Sequence, residues 1–198
     1  MIRLALAMSL LTLPALVRAQ CADWQSYTVD EARQMMSELV APEGDPLEQL
    51  FAFEALMCSD QPVVRQIAME NAANAPSETV RSQLLLRALM DMTVLRMELG
   101  EGRPTEEKYA KSVQPPQAML LDVEFRDPRA ACLSFHQANA QKGCHSNSLA
   151  TVSGLHMSMK ISWSSFKLDG EFDYDYGDTM SGEVRFKNAI YPATIKLF

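Results

Sequence analysis

The chain has 198 residues, a formal net charge of −7 and 47% hydrophobic residues. This length is enough for one large domain or two small ones. The acidic balance argues against a nucleic-acid-binding groove, because phosphates need cationic side chains. Beyond residue 19, no apolar run approaches the roughly 20 residues that cross a bilayer, so we expect no membrane span.

The first 19 residues have the pattern of an export signal. Arg3 provides a charged start, residues 4–13 are an apolar run, and the small residues Val17 and Ala19 precede a cleavage site. We therefore predict a signal peptide over 1–19 and a mature protein that is periplasmic or secreted.

Four cysteines follow the predicted signal: Cys21, Cys58, Cys132 and Cys144. An even number in an oxidising compartment favours two disulfides over thiol chemistry. Three pairings are formally possible. Because Cys21 and Cys58 flank the helical half while the other two lie in the β half, we predict the bridges Cys21–Cys58 and Cys132–Cys144.

Residues 20–99 are predicted to form a helical domain. Their apolar residues recur at helical spacing, which indicates four helices. Thr28 with Glu31 has the pattern of a capping box, and Asp45 precedes a proline at the first helical position. The other two helices are predicted to start near Asp60 and Ser77. Two apolar stripes are predicted to be buried against neighbouring helices. The stripe of the second helix is Leu47, Leu50, Phe51 and Leu56, and the stripe of the fourth helix is Leu84, Ala88, Met92, Leu95 and Leu99.

Part of this region resembles a known repeat. The run 60–65, Asp-Gln-Pro-Val-Val-Arg, followed by Ala68 and Ala72, resembles the second helix of a HEAT-type repeat, and Val80-Arg81 repeats part of it. The resemblance covers residues 45–99 and at most one and a half repeats, fewer than the roughly three of a stable solenoid. HEAT-like helix pairs hold other proteins, so the resemblance implies protein binding. A plain helical bundle is the alternative.

Glycines and prolines among charged residues predict a linker over 100–117. Beyond it, residues 118–198 are predicted to be an antiparallel β domain, because apolar residues now recur at every second position. A turn at Ser164-Ser165 would pair Trp163 with Phe166 and Met157 with Phe172.

The next two predicted turns complete a four-stranded meander. A turn at 177–179 sets Phe172 opposite Val184 and Tyr174 opposite Gly182, and a turn at Asn188-Ala189 sets Phe186 opposite Tyr191 on the last strand. With upstream strands, including one from Met119 to Phe125, six or seven strands suggest a small sandwich or an open barrel. The predicted fold class is therefore α+β.

Three residue groups could in principle bind metal. Cys132, His136, Cys144 and His145 are a formal zinc set, but their spacing matches no common zinc module, and a disulfide is favoured. Met157 and Met159 are soft ligands for copper, yet strand parity turns them into the core and His156 outwards. The acidic row is Asp169, Glu171, Asp173, Asp175 and Asp178; a calcium loop counted from Asp173 would need a carboxylate where Val184 stands. We predict no metal and no cofactor.

Motifs of nucleophilic catalysis are missing from the sequence, which has no G-x-S-x-G, H-E-x-x-H or P-loop and only three histidines. No catalytic residue is predicted, although the sequence leaves enzymatic activity open. The helical region favours binding or assembly with another envelope protein. The alternative is recognition of a cell-envelope glycan by the β domain, with or without hydrolysis, through Trp163, Tyr174 and Tyr176.

Overall fold

The computed structural model describes residue 21 and residues 23–135, 143–163 and 166–198. The predicted signal peptide, His136 and the predicted turn at Ser164-Ser165 lie outside these residues. Four α-helices come first, as predicted: α1 (Val29–Leu39), α2 (Pro46–Met57), α3 (Pro62–Ala72) and α4 (Glu78–Asp91).

Side-chain caps explain where three of these helices begin, α1, α2 and α4. The Thr28 hydroxyl accepts from the Glu31 backbone N–H while the Glu31 carboxylate accepts from the Thr28 backbone, a complete capping box. Asp45 accepts from the backbone N–H of Leu47 at 2.7 Å, and Ser77 caps α4. Each cap satisfies a backbone donor that has no partner inside its helix.

The rest of the described chain is an antiparallel β structure, which confirms the α+β class. Its strands follow the order β3-β1-β10-β9-β8-β7-β6-β5-β4 and curl into a half-barrel, with β2 paired to β10. A 3-10 helix covers Glu107–Ser112. The strands are β1 (Val94–Leu99), β2 (Arg103–Pro104), β3 (Gln117–Asp122), β4 (Phe125–Asp127), β5 (Cys132–Ser134), β6 (Ser148–Ser153), β7 (His156–Trp163), β8 (Phe166–Tyr174), β9 (Thr179–Phe186) and β10 (Ala189–Lys196).

The two edge strands of the sheet, β3 and β4, are neighbours in the chain. Only Val123 and Glu124 separate them, and this link spans at most about 11 Å when fully extended. Val123 donates to the Thr93 carbonyl beside β1, while Glu124 donates to the Ser134 carbonyl on β5, both at 2.9 Å. The sheet must therefore curl until its opposite edges meet at this link.

The prediction that the fourth helix continues through Leu95 and Leu99 is wrong. The helix ends at Asp91, and 94–99 form β1, which pairs with β3 and β10. Leu95 and Leu99 fit both the helical period and the two-residue period of a strand, because Leu95, Met97 and Leu99 also alternate with exposed residues. The β-branched pair Thr93-Val94 favours the strand, and the remote pairing partners decide it.

Segment 100–117, predicted to be a linker, has its own structure. It contains β2 and the 3-10 helix, and β2 pairs Arg103 with Ile190 and Pro104 with Ala189 of β10. This segment therefore lies against the last strand of the sheet.

The register of the β7–β8 hairpin is as predicted, with Trp163 opposite Phe166 and Met157 opposite Phe172. The predicted register of the next hairpin, β8–β9, is wrong by two residues. Phe172 lies opposite Gly182, not Val184, since the connection spans residues 175–178. A shift of two leaves every side chain on its predicted face, because the side-chain period of a strand is two.

The β9–β10 hairpin differs from the prediction in the same way. Its turn consists of Lys187 and Asn188, both with positive φ (47° and 62°), which places Phe186 opposite Ala189. Two left-handed residues in a two-residue turn follow the right-handed twist of the strands. Neither residue is a glycine, so the sequence signal for this turn was weak.

Helices and sheet share one continuous hydrophobic core. The connection from α3 to α4 meets the connection from β8 to β9, where the Gly177 N–H donates to the Ala73 carbonyl at 3.2 Å. The Tyr174 hydroxyl donates to the Gly177 carbonyl at 2.9 Å and lies 3.4 Å from the Ala73 carbonyl. Burial raises the pKa of Tyr174 to about 12, against the smaller opposing effect of nearby Arg81. The Arg81 guanidinium is buried, donates to two loop carbonyls and stacks on Tyr176.

Both predicted disulfides, Cys21–Cys58 and Cys132–Cys144, are present. The first is reinforced by backbone pairing, because the Gln25 N–H donates to the Cys58 carbonyl and the Asp60 N–H donates to the Gln25 carbonyl. The segment before α1 is thereby attached to the connection between α2 and α3.

We expect the replacement of both cysteines in C21S/C58S to lower the free energy of unfolding by roughly 4 kcal/mol, because this bridge closes a loop of 37 residues in the unfolded chain. The C132S/C144S variant, whose bridge closes a loop of 12 residues, should lose roughly 3 kcal/mol. Urea unfolding of both variants checks this. A smaller loss for the first pair than for the second would contradict the loop-length explanation.

Gly182 should tolerate no side chain. A Cβ at this position would overlap the carbonyl group of Glu171 on β8, and this backbone cannot move without breaking the β8–β9 pairing. We expect Gly182→Ala to cost about 3 kcal/mol of unfolding free energy in thermal or urea denaturation. Gly177→Ala is the control: its Cβ meets no heavy atom within 4 Å, so only its positive φ, worth about 1 kcal/mol, is penalised. Equal losses would refute the steric explanation.

Candidate interaction surface

Helix α2 is apolar on more than one side. Phe53, Leu56 and Met57 are buried in the core. On another face, Leu47 and Phe51 lie one turn apart with 60% and 68% of their surfaces exposed. A helix that is apolar all round is normally covered, so this exposed pair marks a surface suited to contact with another molecule.

A groove of about 340 Å³ lies beside this face and is called the α2–α4 groove here. It lies between the two helices and the β5–β7 part of the sheet. All of its lining residues are uncharged. They are Leu50, Thr79, Ser82, Gln83, Leu86, Ala131, Val152 and Gly154.

Polar contacts hold the two helices at the spacing that the groove requires. The Glu54 carboxylate on α2 accepts from Gln83 Nε2 at 2.8 Å through one oxygen and pairs with Arg87 Nη1 at 3.0 Å through the other. On the sheet side, Val152 donates to the carbonyl of Ala131 at 2.9 Å. These contacts make the groove a pre-formed feature of the fold.

The residues of the HEAT-like run have local roles. Arg65 donates to the Ser59 carbonyl and lies 4.9 Å from the centre of the Trp24 ring, and the Asp60 carboxylate accepts from the Ser26 hydroxyl. The resemblance to HEAT repeats stays a prediction.

The three aromatic residues predicted to bind glycan do not form one platform. Tyr174 is buried, whereas Tyr176 is 52% exposed with Arg81 over its ring. Trp163 is half-buried at the other end of the β7–β8 hairpin, packed against Phe166 with ring centres 5.8 Å apart. About 25 Å of strand separates Phe166 from Tyr174. Glycan recognition through these residues stays a prediction.

A histidine and two carboxylates meet on the outer face of the sheet. His156 Nδ1 is 2.9 Å from Asp173 Oδ1, and its Nε2 is 2.9 Å from Glu171 Oε2. The hydrogen bond with Asp173, followed by the contact with Glu171, raises the pKa of His156 despite some opposing desolvation. Glu171 also faces Glu183 across the strands, and Arg103 pairs with Glu183 at 2.9 Å. Arg103, and His156 when it is protonated, thus offset repulsion between the two glutamates.

This arrangement is not a metal centre, because the two carboxylates contact opposite nitrogens of the ring and do not converge. Nor do the described residues contain any other group of histidine, cysteine and carboxylate side chains arranged to hold an ion. Met157 and Met159 are buried on the other face, as strand parity predicted. The thiols of the formal zinc set, Cys132 and Cys144, are joined in a disulfide and cannot act as thiolate ligands.

The molecule is an α+β protein in which four helices and a curled antiparallel sheet share one core, and it contains two disulfides. None of its described helices has the length and apolar composition needed to cross a membrane. Comparison of the chain with models of protein families, with curated proteins and with solved structures finds no match. The two disulfides fit an oxidising compartment outside the cytosol.

We expect an NMR titration to place the pKa of His156 above 6.5, and Asp173→Asn to return it towards that ordinary value. Because the folded pKa is the higher one, the cluster stabilises the protein below about pH 6.5, and this contribution disappears as the pH rises through the folded pKa. Asp175→Asn, a nearby loss of charge without this hydrogen bond, is the control. An equal shift in both variants would contradict a specific His156–Asp173 contact.

Proposed function

We propose that this protein is an exported, non-catalytic binding or assembly protein that contacts another envelope protein through α2. The observation that carries the proposal is the exposure of Leu47 and Phe51 beside the uncharged α2–α4 groove. Two disulfides and the predicted signal peptide support export.

The chemistry of this surface favours an apolar segment of the partner. Burying Leu47 and Phe51 would contribute roughly 1.5–3 kcal/mol each, enough for both to be main contributors to binding. The groove offers uncharged walls at the side of these residues, and its Leu50 and Leu86 can receive further apolar side chains. An amphipathic helix with apolar residues spaced by three and four positions matches such a surface.

Glu54, one turn after Phe51 on α2, fixes the position of α4 beside this surface. Its carboxylate is shared between Gln83 and Arg87, so the spacing of α2 and α4 is set before a partner arrives. Binding to a pre-formed surface avoids the entropic cost of ordering it.

We expect L47Q/F51Q to weaken binding of the partner by at least tenfold while leaving stability nearly unchanged, because both side chains are already exposed. A photo-crosslinking amino acid at position 51 in intact cells identifies the partner, and titration with that purified partner measures the affinity. The matched control is V63Q/I67Q, an exposed apolar pair with the same spacing on α3.

Discrete adducts from position 51, with binding lost in L47Q/F51Q and retained in V63Q/I67Q, would support the proposal. The proposal fails if the protein reaches the envelope but position 51 yields no adduct. It also fails if L47Q/F51Q binds the identified partner as well as the unchanged chain does.

A further inference from the structure

A second cavity, of about 610 Å³, opens on the outer face of the sheet and is called the basic pocket here. Its walls are formed by the start of β8, the end of β9, the β9–β10 turn, and the last residue of the 3-10 helix with the segment that follows it. Its lining residues are Ser112, Gln114, Lys167, Asp169, Arg185, Lys187 and Asn188.

The charge of this pocket is opposite to that of the chain. Lys167, Arg185 and Lys187 outnumber the single carboxylate of Asp169, whereas the whole chain has a formal charge of −7. Over the part of the chain that the structure describes, none of these cations makes an ion pair. Asp169 and Arg185 are even register partners on β8 and β9, yet their charged groups do not pair.

Hydrogen bonds hold the walls of the pocket in place. The backbone N–H and the hydroxyl of Thr105 both donate to the Asn188 carbonyl at 2.9 Å, which fixes the turn. The Gln114 N–H donates to the hydroxyl of the buried Tyr191 at 2.8 Å. A side chain at Gly102 would overlap the Tyr191 ring, so this glycine allows segment 100–117 to lie close to the sheet.

We propose that the basic pocket binds a phosphate-bearing sugar. Lys167 and Arg185 supply charge-assisted hydrogen bonds to the phosphate, and arginine can contact two of its oxygens at once. Lys187, whose Nζ lies 5.1 Å from the centre of the Phe186 ring, adds positive charge to the pocket. The pocket is within the roughly 300–1,000 Å³ range of ligand sites.

The presence of Asp169 favours a sugar phosphate over a bare anion as the ligand. Its carboxylate repels phosphate but accepts hydrogen bonds from hydroxyl groups. Ser112, Gln114 and Asn188 add uncharged donors and acceptors around it. A ligand that carries both phosphate and hydroxyl groups therefore satisfies the pocket better than either group alone. A soluble sugar phosphate and the headgroup of a phosphoinositol lipid share this chemistry.

Calorimetric titration of the purified protein with glucose 1-phosphate, glucose and inorganic phosphate tests the proposal. Co-sedimentation with vesicles of equal parts phosphatidylcholine and phosphatidylinositol, compared with phosphatidylcholine alone, tests the lipid source. Tenfold tighter binding of glucose 1-phosphate than of glucose or phosphate supports a soluble ligand, and binding only to the inositol vesicles supports the lipid. Binding in neither arm, or equal affinity for phosphate and glucose 1-phosphate without inositol-vesicle binding, overturns the proposal.

Variants locate the binding site. R185Q/K187N should weaken binding of whichever probe binds at least tenfold, and asparagine suits the positive φ at position 187. R33Q/R96Q, which removes two exposed cations elsewhere, produces the same change in net charge and should retain binding. Equal losses in both variants would mean unspecific attraction and overturn the proposal.

The variant Asp169→Asn distinguishes recognition of the sugar hydroxyl groups from general attraction between the cations and phosphate. Loss of this carboxylate should strengthen the binding of inorganic phosphate but weaken that of the sugar phosphate or the inositol vesicles, because a hydroxyl acceptor is replaced by a weaker one. If Asp169→Asn strengthens all of them alike, the sugar half of the proposal is wrong.

Discussion

The structure depends on burying the apolar face of a sheet whose two edge strands are joined by only two residues. Because Val123 and Glu124 link β3 to β4, the sheet has to curl, and the curl gathers its apolar side chains on the inner face. That face shares one core with the helices. The Ala73 carbonyl, which accepts from the Gly177 N–H, joins the loops of the two layers.

The same packing explains where binding surfaces remain. Helix α2 contributes Phe53, Leu56 and Met57 to the core but has further apolar residues, which the fold leaves exposed at Leu47 and Phe51. Segment 100–117 pairs with the edge of β10 through β2, and its residues Ser112 and Gln114 form one wall of the basic pocket. The two surfaces are built by different elements and differ in chemistry, one apolar and the other cationic, so their proposed ligands are independent of each other.

Local signals in the sequence predicted much of the fold. Capping residues predicted the starts of α1, α2 and α4, because a cap satisfies donors within the next turn. Alternation predicted the buried face of β7 to β10 and turned Met157 and Met159 inwards. The position of each cysteine in the helical or the β half predicted both disulfides. The candidate surfaces were not predicted, since Leu47 was assigned to the core and the cations of the basic pocket are distant in sequence.

The sequence by itself therefore determined which residues begin helices, which faces of the strands are apolar and which cysteines pair. Only the tertiary structure decided that residues 94–99 form a strand, because their apolar pattern fits both periods and their partners β3 and β10 are distant in the chain. It also decided the register of β9 and β10. Alternation is unchanged by a shift of two residues, whereas the left-handed turn at Lys187-Asn188 selects one pairing.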